Sequence, residues 1–249
     1  MSRLIKTICI CFLFLYRGNA AGQDLDLHNY SASTYNNFAR LSGQLIGSGL
    51  YHTAGIHKFG GVDFGVKTML GFIPKENRIG PLTGADIVPI PILQANIGLV
   101  KGFEAGGRFF KFKFGDRNAE EVTIASGVIK YNALKGLVFP DITFYSAYSR
   151  LTGVTDFSLN IYTIGGMLGK SLPLLTLYAG GNYNISRLNV KLSPIPRNYP
   201  DGYKRIISQN VFHYSVGMSL GLTPFTKVNA EFNVGKVKTI TVGIILSIF

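Results

Sequence analysis

The chain has 249 residues, of which 47% are hydrophobic, and its 25 Lys and Arg against 13 Asp and Glu give a formal net charge of +12. The basic residues are scattered, with no run longer than Lys204-Arg205, which argues against a nucleic-acid-binding patch. The two cysteines, Cys9 and Cys11, lie in a stretch that we expect to be removed, which excludes a disulfide scaffold, a Cys metal site and a Cys nucleophile.

Residues 1–22 resemble a secretory signal peptide. Arg3 and Lys6 precede an apolar run that ends at Tyr16, and small residues follow in 18–22. The run is shorter than the roughly 20 residues of a membrane helix, so we expect export and cleavage between Ala20 and Gln23. The mature chain would keep 22 basic and 13 acidic residues, an excess of nine.

Residues 23–59 differ from the rest of the chain because they lack sustained alternation. Phe38, Leu41, Leu45 and Ile46 recur at roughly helical spacing, and glycines follow at 47, 49 and 55. We predict a short N-terminal helix and an irregular segment that plugs or gates a barrel formed by residues 60–249. The alternative left open is an extra strand around 49–56.

Period-two alternation begins at residue 61. Apolar Val62, Phe64 and Val66 alternate with Asp63 and Lys67, the pattern of a strand with lipid on one face and a polar lumen on the other. No later apolar stretch is long enough for a membrane helix, and a closed barrel is the other structure that satisfies every backbone group in lipid. Residues 74–91 are predicted to be a long loop, followed by a strand at 93–99.

The predicted strand 103–115 changes parity half way. Phe103 to Phe109 place their aromatics on one face, whereas Phe110 to Phe114 place theirs on the other. A bulge at Phe109-Phe110 would bring all aromatics to lipid and turn the charges inward. The polar residues predicted to line the lumen are Asp63, Lys67, Glu104, Arg108, Lys111, Lys113, His213, Lys227 and Glu231.

Further strands are expected at 120–130, 140–150, 155–168, 173–190, 206–222, 226–235 and 238–249, with ambiguous facing at 120–130, 140–150 and 238–249. Long connections at 74–91 and 191–205 then fall on one side, and short turns fall on the other. Bacterial barrels have short periplasmic turns, long outer loops and an even strand count. We therefore predict an all-β fold, a transmembrane antiparallel up-and-down barrel of about ten strands.

Three groups of segments together resemble a known family: 49–54 with 57–61, the hairpin 98–104 with 108–109, and 127–130 with 139–142. They are similar to an uncharacterised family of predicted outer-membrane proteins, distantly like long-chain fatty-acid transport barrels. The C-terminal Phe249 resembles the sorting signal of Gram-negative outer-membrane barrels. The resemblance covers nearly the whole mature chain and implies a barrel in the outer membrane of a Gram-negative bacterium, without implying a site.

No catalytic or cofactor site is predicted. His52 and His57 are five apart and lack helical ligand spacing, so we expect neither a metal site nor a cofactor. His213 and Ser215 share a strand face, as in outer-membrane phospholipase A, but no third residue of a catalytic triad can be named. A lipid hydrolase is therefore only a remote alternative, and we expect a protein that is not an enzyme.

The predicted function is passive passage or binding of a small, hydrophobic molecule, with outer-membrane lipid and that ligand as the partners and no nucleic acid. Ten strands leave little open bore, which argues against a general porin. The alternative is a structural or partner-binding barrel whose lumen is filled.

Overall fold

The computed structural model describes residues 32–78, 82, 85–114, 120–136, 139–192 and 202–248, without the side chains of residues 32, 112–114 and 120. The predicted signal peptide, the residues up to 31 and Phe249 lie outside this part of the chain. Within it, no helix is long and apolar enough to cross a bilayer.

The described residues form one helix, ten strands and a short 3-10 turn at Lys75–Asn77. The helix is α1 (Ala32–Gly47), and the strands are β1 (Val62–Phe72), β2 (Ile87–Gly98), β3 (Phe103–Phe114), β4 (Glu120–Leu134), β5 (Asp141–Thr152), β6 (Phe157–Ser171), β7 (Leu175–Leu192), β8 (Tyr203–Thr223), β9 (Thr226–Val234) and β10 (Lys238–Ile248). Each strand pairs antiparallel with its neighbours in sequence, and β1 pairs with β10 to close the barrel. The predicted ten-stranded up-and-down barrel is confirmed.

The barrel has two ends, which we name by the chain termini. Val62 pairs with Ile248 at the near end, and Phe72 pairs with Lys238 toward the far end. Short connections at 99–102, 172–174 and 224–225 lie at the near end, together with 135–140. The longer connections at 73–86 and 193–202 lie at the far end, where β7 and β8 extend furthest.

Two strands begin earlier than the sequence pattern predicts. β2 begins at Ile87 and contains Pro89 and Pro91, which were assigned to a loop. Its described pairing with β3 stops at Leu93, opposite Phe109. Proline cannot donate to a strand ladder, so it is tolerated here because this part of β2 has one paired neighbour, β1. β8 begins at Tyr203, three residues before the predicted start.

The apolar residues of the strands face outward in the near half of the barrel and inward in the far half. In the near half the outward residues are apolar (Ile129, Phe144, Leu168, Leu177, Val216, Leu246) and the inward ones are polar (Asp63, Glu104, Lys130, Thr143, Asn182, Asn229). In the far half the inward residues are apolar (Val122, Ile124, Leu159, Ile161, Leu188, Val190) and the outward ones include charged groups (Glu121, Arg150, Arg187, Lys191). The near half therefore matches a membrane-spanning band, and the far half matches an extension into water.

The height of this band agrees with a bilayer. On β8 exposed apolar residues occupy every second position from Phe212 to Leu222, and Ile206 is a separate one toward the far end, beyond Ser208 and Asn210. A tilted strand crosses the hydrocarbon core in about 9–11 residues. Beyond Phe212, toward the far end, β8 presents Lys204 and Ser208 outward and buries Ile207 and Val211 inward.

The bulge expected in β3 is wrong. β3 pairs with β4 without interruption from Phe103 opposite Tyr131 to Phe114 opposite Glu120. Phe110 faces inward and is 4% exposed. Lys111, which was expected in the lumen, faces outward and forms an ion pair with Glu121 at 2.5 Å. The parity changes because β3 leaves the lipid-facing band, so that apolar Phe110 faces inward and charged Lys111 faces outward.

Candidate functional site: the filled barrel lumen

Helix α1 lies inside the far half of the barrel. Its apolar residues Tyr35, Phe38, Leu41 and Leu45 are spaced three or four apart and buried, the pattern of one helix face in a core. The Phe38 ring packs edge-on against Phe157 of β6, with centroids 5.2 Å apart. The helix therefore supplies the inner part of an apolar core whose outer part is the barrel wall.

The helix runs from the far end toward the near end. Its N-terminal Tyr35 stacks on Tyr203, at the far end of β8, with ring centroids 6.4 Å apart. Near its C-terminus, a Cβ added to Gly47 would lie 2.3 Å from Nδ2 of Asn184, nearer the middle of β7. Only glycine allows so close an approach, so the predicted helix-breaking position is also a packing position.

The lumen segment (residues 48–61) continues from α1 to the near end and contains no strand. The chain is buried without interruption from Leu41 to His52. The extra strand that was considered for 49–56 is therefore excluded. An irregular backbone at this depth needs hydrogen-bond partners, because buried peptide groups are costly when unpaired.

Inward side chains of the barrel supply those partners. Arg108 donates to the carbonyl oxygens of Ile46 and, at 2.7 Å, Ser48. Further donors, with the residues whose carbonyl oxygens accept, are Gln94 to Leu50, Lys67 to Tyr51, Ser219 to His52, Lys130 to Thr53 and Gly55, and Thr143 to Ala54. These donors come from β1, β2, β3, β4, β5 and β8, so the segment is surrounded by the barrel wall.

One buried carboxylate also binds the backbone of the segment. Glu231 of β9 accepts from the N–H of Gly49 at 3.2 Å, from Tyr178 at 3.0 Å and from Asn233 at 2.8 Å. Gly49 has φ +66°, a conformation that favours glycine, and the chain turns there at the end of α1. The first turn of the lumen segment is thus fixed by β7 and β9.

A chain of charged groups lies at the near end of the lumen. Asp63 Oδ2 is 2.7 Å from Nε2 of His52 and 2.8 Å from Nε2 of His57. Nδ1 of His57 is 2.7 Å from Oε2 of Glu104, whose Oε1 accepts from Lys130 at 3.0 Å. The two histidines belong to the lumen segment and the other three residues to the barrel, so the cluster joins them.

The two histidines differ in their surroundings. His52 contacts one carboxylate, that of Asp63, whereas His57 lies between the carboxylates of Asp63 and Glu104.

Six of the residues predicted to line the lumen are inward-facing and buried: Asp63, Lys67, Glu104, Arg108, His213 and Glu231. Lys227 shares the inward face of β9 but lies half-buried at the near rim. Lys111 faces outward, and the side chain of Lys113 lies outside the described residues. Five of the six buried residues bond to the lumen segment: Asp63, Lys67, Glu104, Arg108 and Glu231. His213 instead contacts Asn182 and Asn184 of β7.

Several lumen residues were missed by the sequence analysis, among them Lys130, Gln94, Thr143 and the pair His52 and His57. Lys130 lies in β4, and the facing of the predicted strand 120–130 was ambiguous because its other half lies beyond the lipid band. The two histidines precede the first strand, so no alternation could indicate that they meet Asp63. The available signal was that both histidines closely precede β1, whose second residue is the inward-facing Asp63.

The pair His213 and Ser215 does not form a base–nucleophile arrangement. Nε2 of His213 lies 3.0 Å from the amide nitrogen of Asn182, and Nδ1 lies 3.4 Å from that of Asn184. Both ring nitrogens thus face cross-strand asparagines, and both His213 and Ser215 are buried. This geometry provides no free base for the hydrolase alternative.

A small groove is open at the far half of the barrel. It has a volume of about 360 Å³ and is lined by Arg40, Asn210, Val211, Phe212, Gly235 and Lys236. The groove lies where the β8 ladder to β9 has ended, since β9 pairs with β8 only from Tyr214 onward. Gln44 spans this region by hydrogen bonds to the backbone of Val237 in the β9–β10 turn.

Solved structures similar to this chain include an autotransporter domain and a β-barrel domain from two bacteria. The translocator domain of the autotransporter NalP from Neisseria meningitidis has 10% identity and a TM-score of 0.50, covering 90% of this chain and 100% of that one. The N-terminal barrel domain of Pseudomonas aeruginosa OprF has 10% identity and a TM-score of 0.33, covering 77% and 100%. These likenesses concern the fold. No curated protein sequence matches the chain.

A sequence family covers most of the chain. The matched residues, 79–248, extend from the β1–β2 connection to the last residue of β10. The expected membership of an uncharacterised family is therefore confirmed, while the distant likeness to fatty-acid transport barrels stays a prediction. The chain belongs to the family of unknown function DUF6588.

Proposed function

We propose that this protein is an outer-membrane barrel of a Gram-negative bacterium that is closed by its own N-terminal segment and serves as a structural or partner-binding barrel. The near end would face the periplasm, because bacterial barrels with an even strand count begin their first strand, end their last strand and make their short turns there. The far-half extension would then stand outside the cell, where partners can reach it.

One observation carries the proposal: eight carbonyl groups between Ile46 and Gly55 accept hydrogen bonds from inward side chains of six strands. An open channel needs those side chains to face water. Here they donate hydrogen bonds to the chain's own backbone, as expected of a permanent plug. The proposal assigns no catalytic step.

Conductance in planar bilayers tests whether the lumen is closed. We expect the full mature protein to give little or no steady conductance, and a variant lacking residues 32–57 to form open pores. Arg108→Gln, which removes two bonds to the segment, should give intermittent openings, whereas Lys111→Gln on the outer face of the same strand should behave as wild type. Equal steady conductance of the wild type and the deletion variant would contradict a closed barrel.

A second candidate function is the predicted passage or binding of a small hydrophobic molecule. The groove beside Val211 and Phe212 and the ladder that ends at Tyr214 favour it, because they open the wall next to an apolar core. Uptake of a small hydrophobic dye by cells would decide. Passage predicts uptake that depends on the protein and falls when Val211→Arg blocks the groove, while the closed structural barrel predicts uptake equal to that of cells without the protein.

A further inference from the structure

The near-end cluster contains a set of ligand atoms of the kind that binds transition metals. One ring nitrogen of His52, one ring nitrogen of His57 and a carboxylate oxygen of Asp63 all lie within 4.8 Å of one another. Metal–ligand bonds of about 2.0–2.2 Å place neighbouring ligand atoms a little over 3 Å apart. The present separations from Asp63, 2.7 and 2.8 Å, require only small side-chain shifts to admit an ion.

The surroundings of the three residues support a metal rather than a plain hydrogen-bonded triad. Asp63 is 1% exposed, and its second oxygen, Oδ1, has no hydrogen-bond partner among the residues that the structure describes. A buried carboxylate oxygen without a partner is costly, and a bound cation would satisfy it. Asp63 therefore offers Oδ1 to a cation in addition to Oδ2, which contacts the two imidazoles.

Glu104 supplies the outer support that metal-binding histidines usually have. It contacts Nδ1 of His57, which directs Nε2 of that ring toward Asp63. A carboxylate on the far nitrogen of a metal-binding imidazole fixes the ring orientation and strengthens its donor atom. Glu104 is itself oriented by Lys130 and by the backbone N–H of His57.

The site is reachable from one side. His57 is followed by Lys58, Phe59 and Gly60, all of which are exposed at the near end, and Phe59 is 77% exposed. Ions in solution at that end would reach the cluster by passing these exposed residues. Toward the far end the lumen is filled by buried residues 41–52.

We propose that His52, His57 and Asp63 form a binding site for a divalent transition metal such as zinc, with Glu104 orienting His57. Two imidazoles and one carboxylate are a ligand set that suits zinc, and water would complete the tetrahedron. Two ligands lie on the lumen segment and the third on β1, so the metal would bind the plug to the barrel wall at its near end. This site is independent of whether the barrel serves as a structural element or a passage.

Zinc binding by the purified, folded barrel in detergent tests the proposal. His28 lies outside the described residues, so all proteins carry His28→Gln to remove it. After chelator treatment, calorimetric titration with Zn²⁺ at pH 8, where metal competes better with ligand protons, should give one ion per chain. Asp63→Asn and His52→Gln should each weaken binding at least 100-fold, and Glu104→Gln by about 10- to 100-fold.

His213→Gln is the matched control, because His213 is also a buried lumen histidine but lies outside the cluster, and it should bind zinc like the reference. Folding of each variant is checked by its faster migration on gels without heating. Zinc should also raise the temperature at which the reference loses that migration, and not that of Asp63→Asn. Absence of stoichiometric binding by folded reference protein, or undiminished binding by folded Asp63→Asn and His52→Gln, would overturn the proposal.

Discussion

At the scale of single residues, the inward cations act on the backbone of the plug rather than on an aqueous pore. Arg108 shows this best, since its guanidinium donates to Ile46 and Ser48 and also lies 3.3 Å from the hydroxyl of Ser126. Arg108 thus satisfies two buried carbonyls at once. Its replacement leaves those carbonyls unpaired.

The expected loss of stability in Arg108→Gln follows from the two hydrogen bonds that it removes. Hydrogen bonds to charged groups contribute about 1.5–3 kcal/mol each, so we expect the variant to lose about 3 kcal/mol or more of its free energy of unfolding. Lys111→Gln on the same strand removes a half-exposed ion pair and should cost under about 1 kcal/mol. Urea unfolding in detergent, followed by gel migration without heating, measures both. Equal losses would mean that Arg108 does not support the plug.

At the scale of elements, apolar residues of a strand face outward within the membrane band and inward beyond it. This reversal decides how much of the fold could be predicted from the sequence. Alternation correctly gave ten strands and most inward residues of the lipid band, such as Asp63 and Glu231. It failed in β3 because the same parity that faces lipid at Phe109 faces water at Lys111. The rule that apolar residues point outward holds only within the membrane, and one sequence does not mark where the membrane ends.

The plug was predictable in part for a similar physical reason. Too many apolar residues for a solvated tail indicated burial of residues 23–59, and helical spacing indicated α1. The contacts of the lumen segment could not be predicted, because backbone carbonyls carry no sequence signature. The meeting of His52, His57 and Asp63 depends on how the chain turns between Gly49 and Gly61, which only the fold specifies.

Cysteine labelling on β7 tests the inversion along a strand. Arg187 and Leu177 both face outward, the first in the far half and the second in the near half. With no other thiol expected in the mature chain, Arg187→Cys on intact cells should react with a membrane-impermeant thiol reagent. Leu177→Cys should react at least 10-fold less, because lipid shields it. Comparable labelling of the two would place the membrane boundary elsewhere.

At the scale of the whole molecule, the chain enters and leaves the barrel at different ends. β1 begins and β10 finishes at the near end, yet α1 begins beside Tyr203 at the far end and the lumen segment returns to Val62. The polypeptide thus passes once through its own lumen before the first strand. If the near end faces the periplasm, α1 begins at the extracellular end of the barrel.

That topology gives the last prediction. An epitope placed ahead of Ala32 in the mature chain should bind antibody on intact cells, because the start of α1 is at the extracellular end. The same epitope in the near-end turn at Pro224, which connects β8 and β9, should bind only after the outer membrane is permeabilised. Flow cytometry of both variants, each checked for barrel folding by gel migration, measures the difference. Surface binding at Pro224 with none ahead of Ala32 would reverse the orientation, whereas binding at neither position before permeabilisation would show that the chain does not pass through the lumen toward the cell exterior.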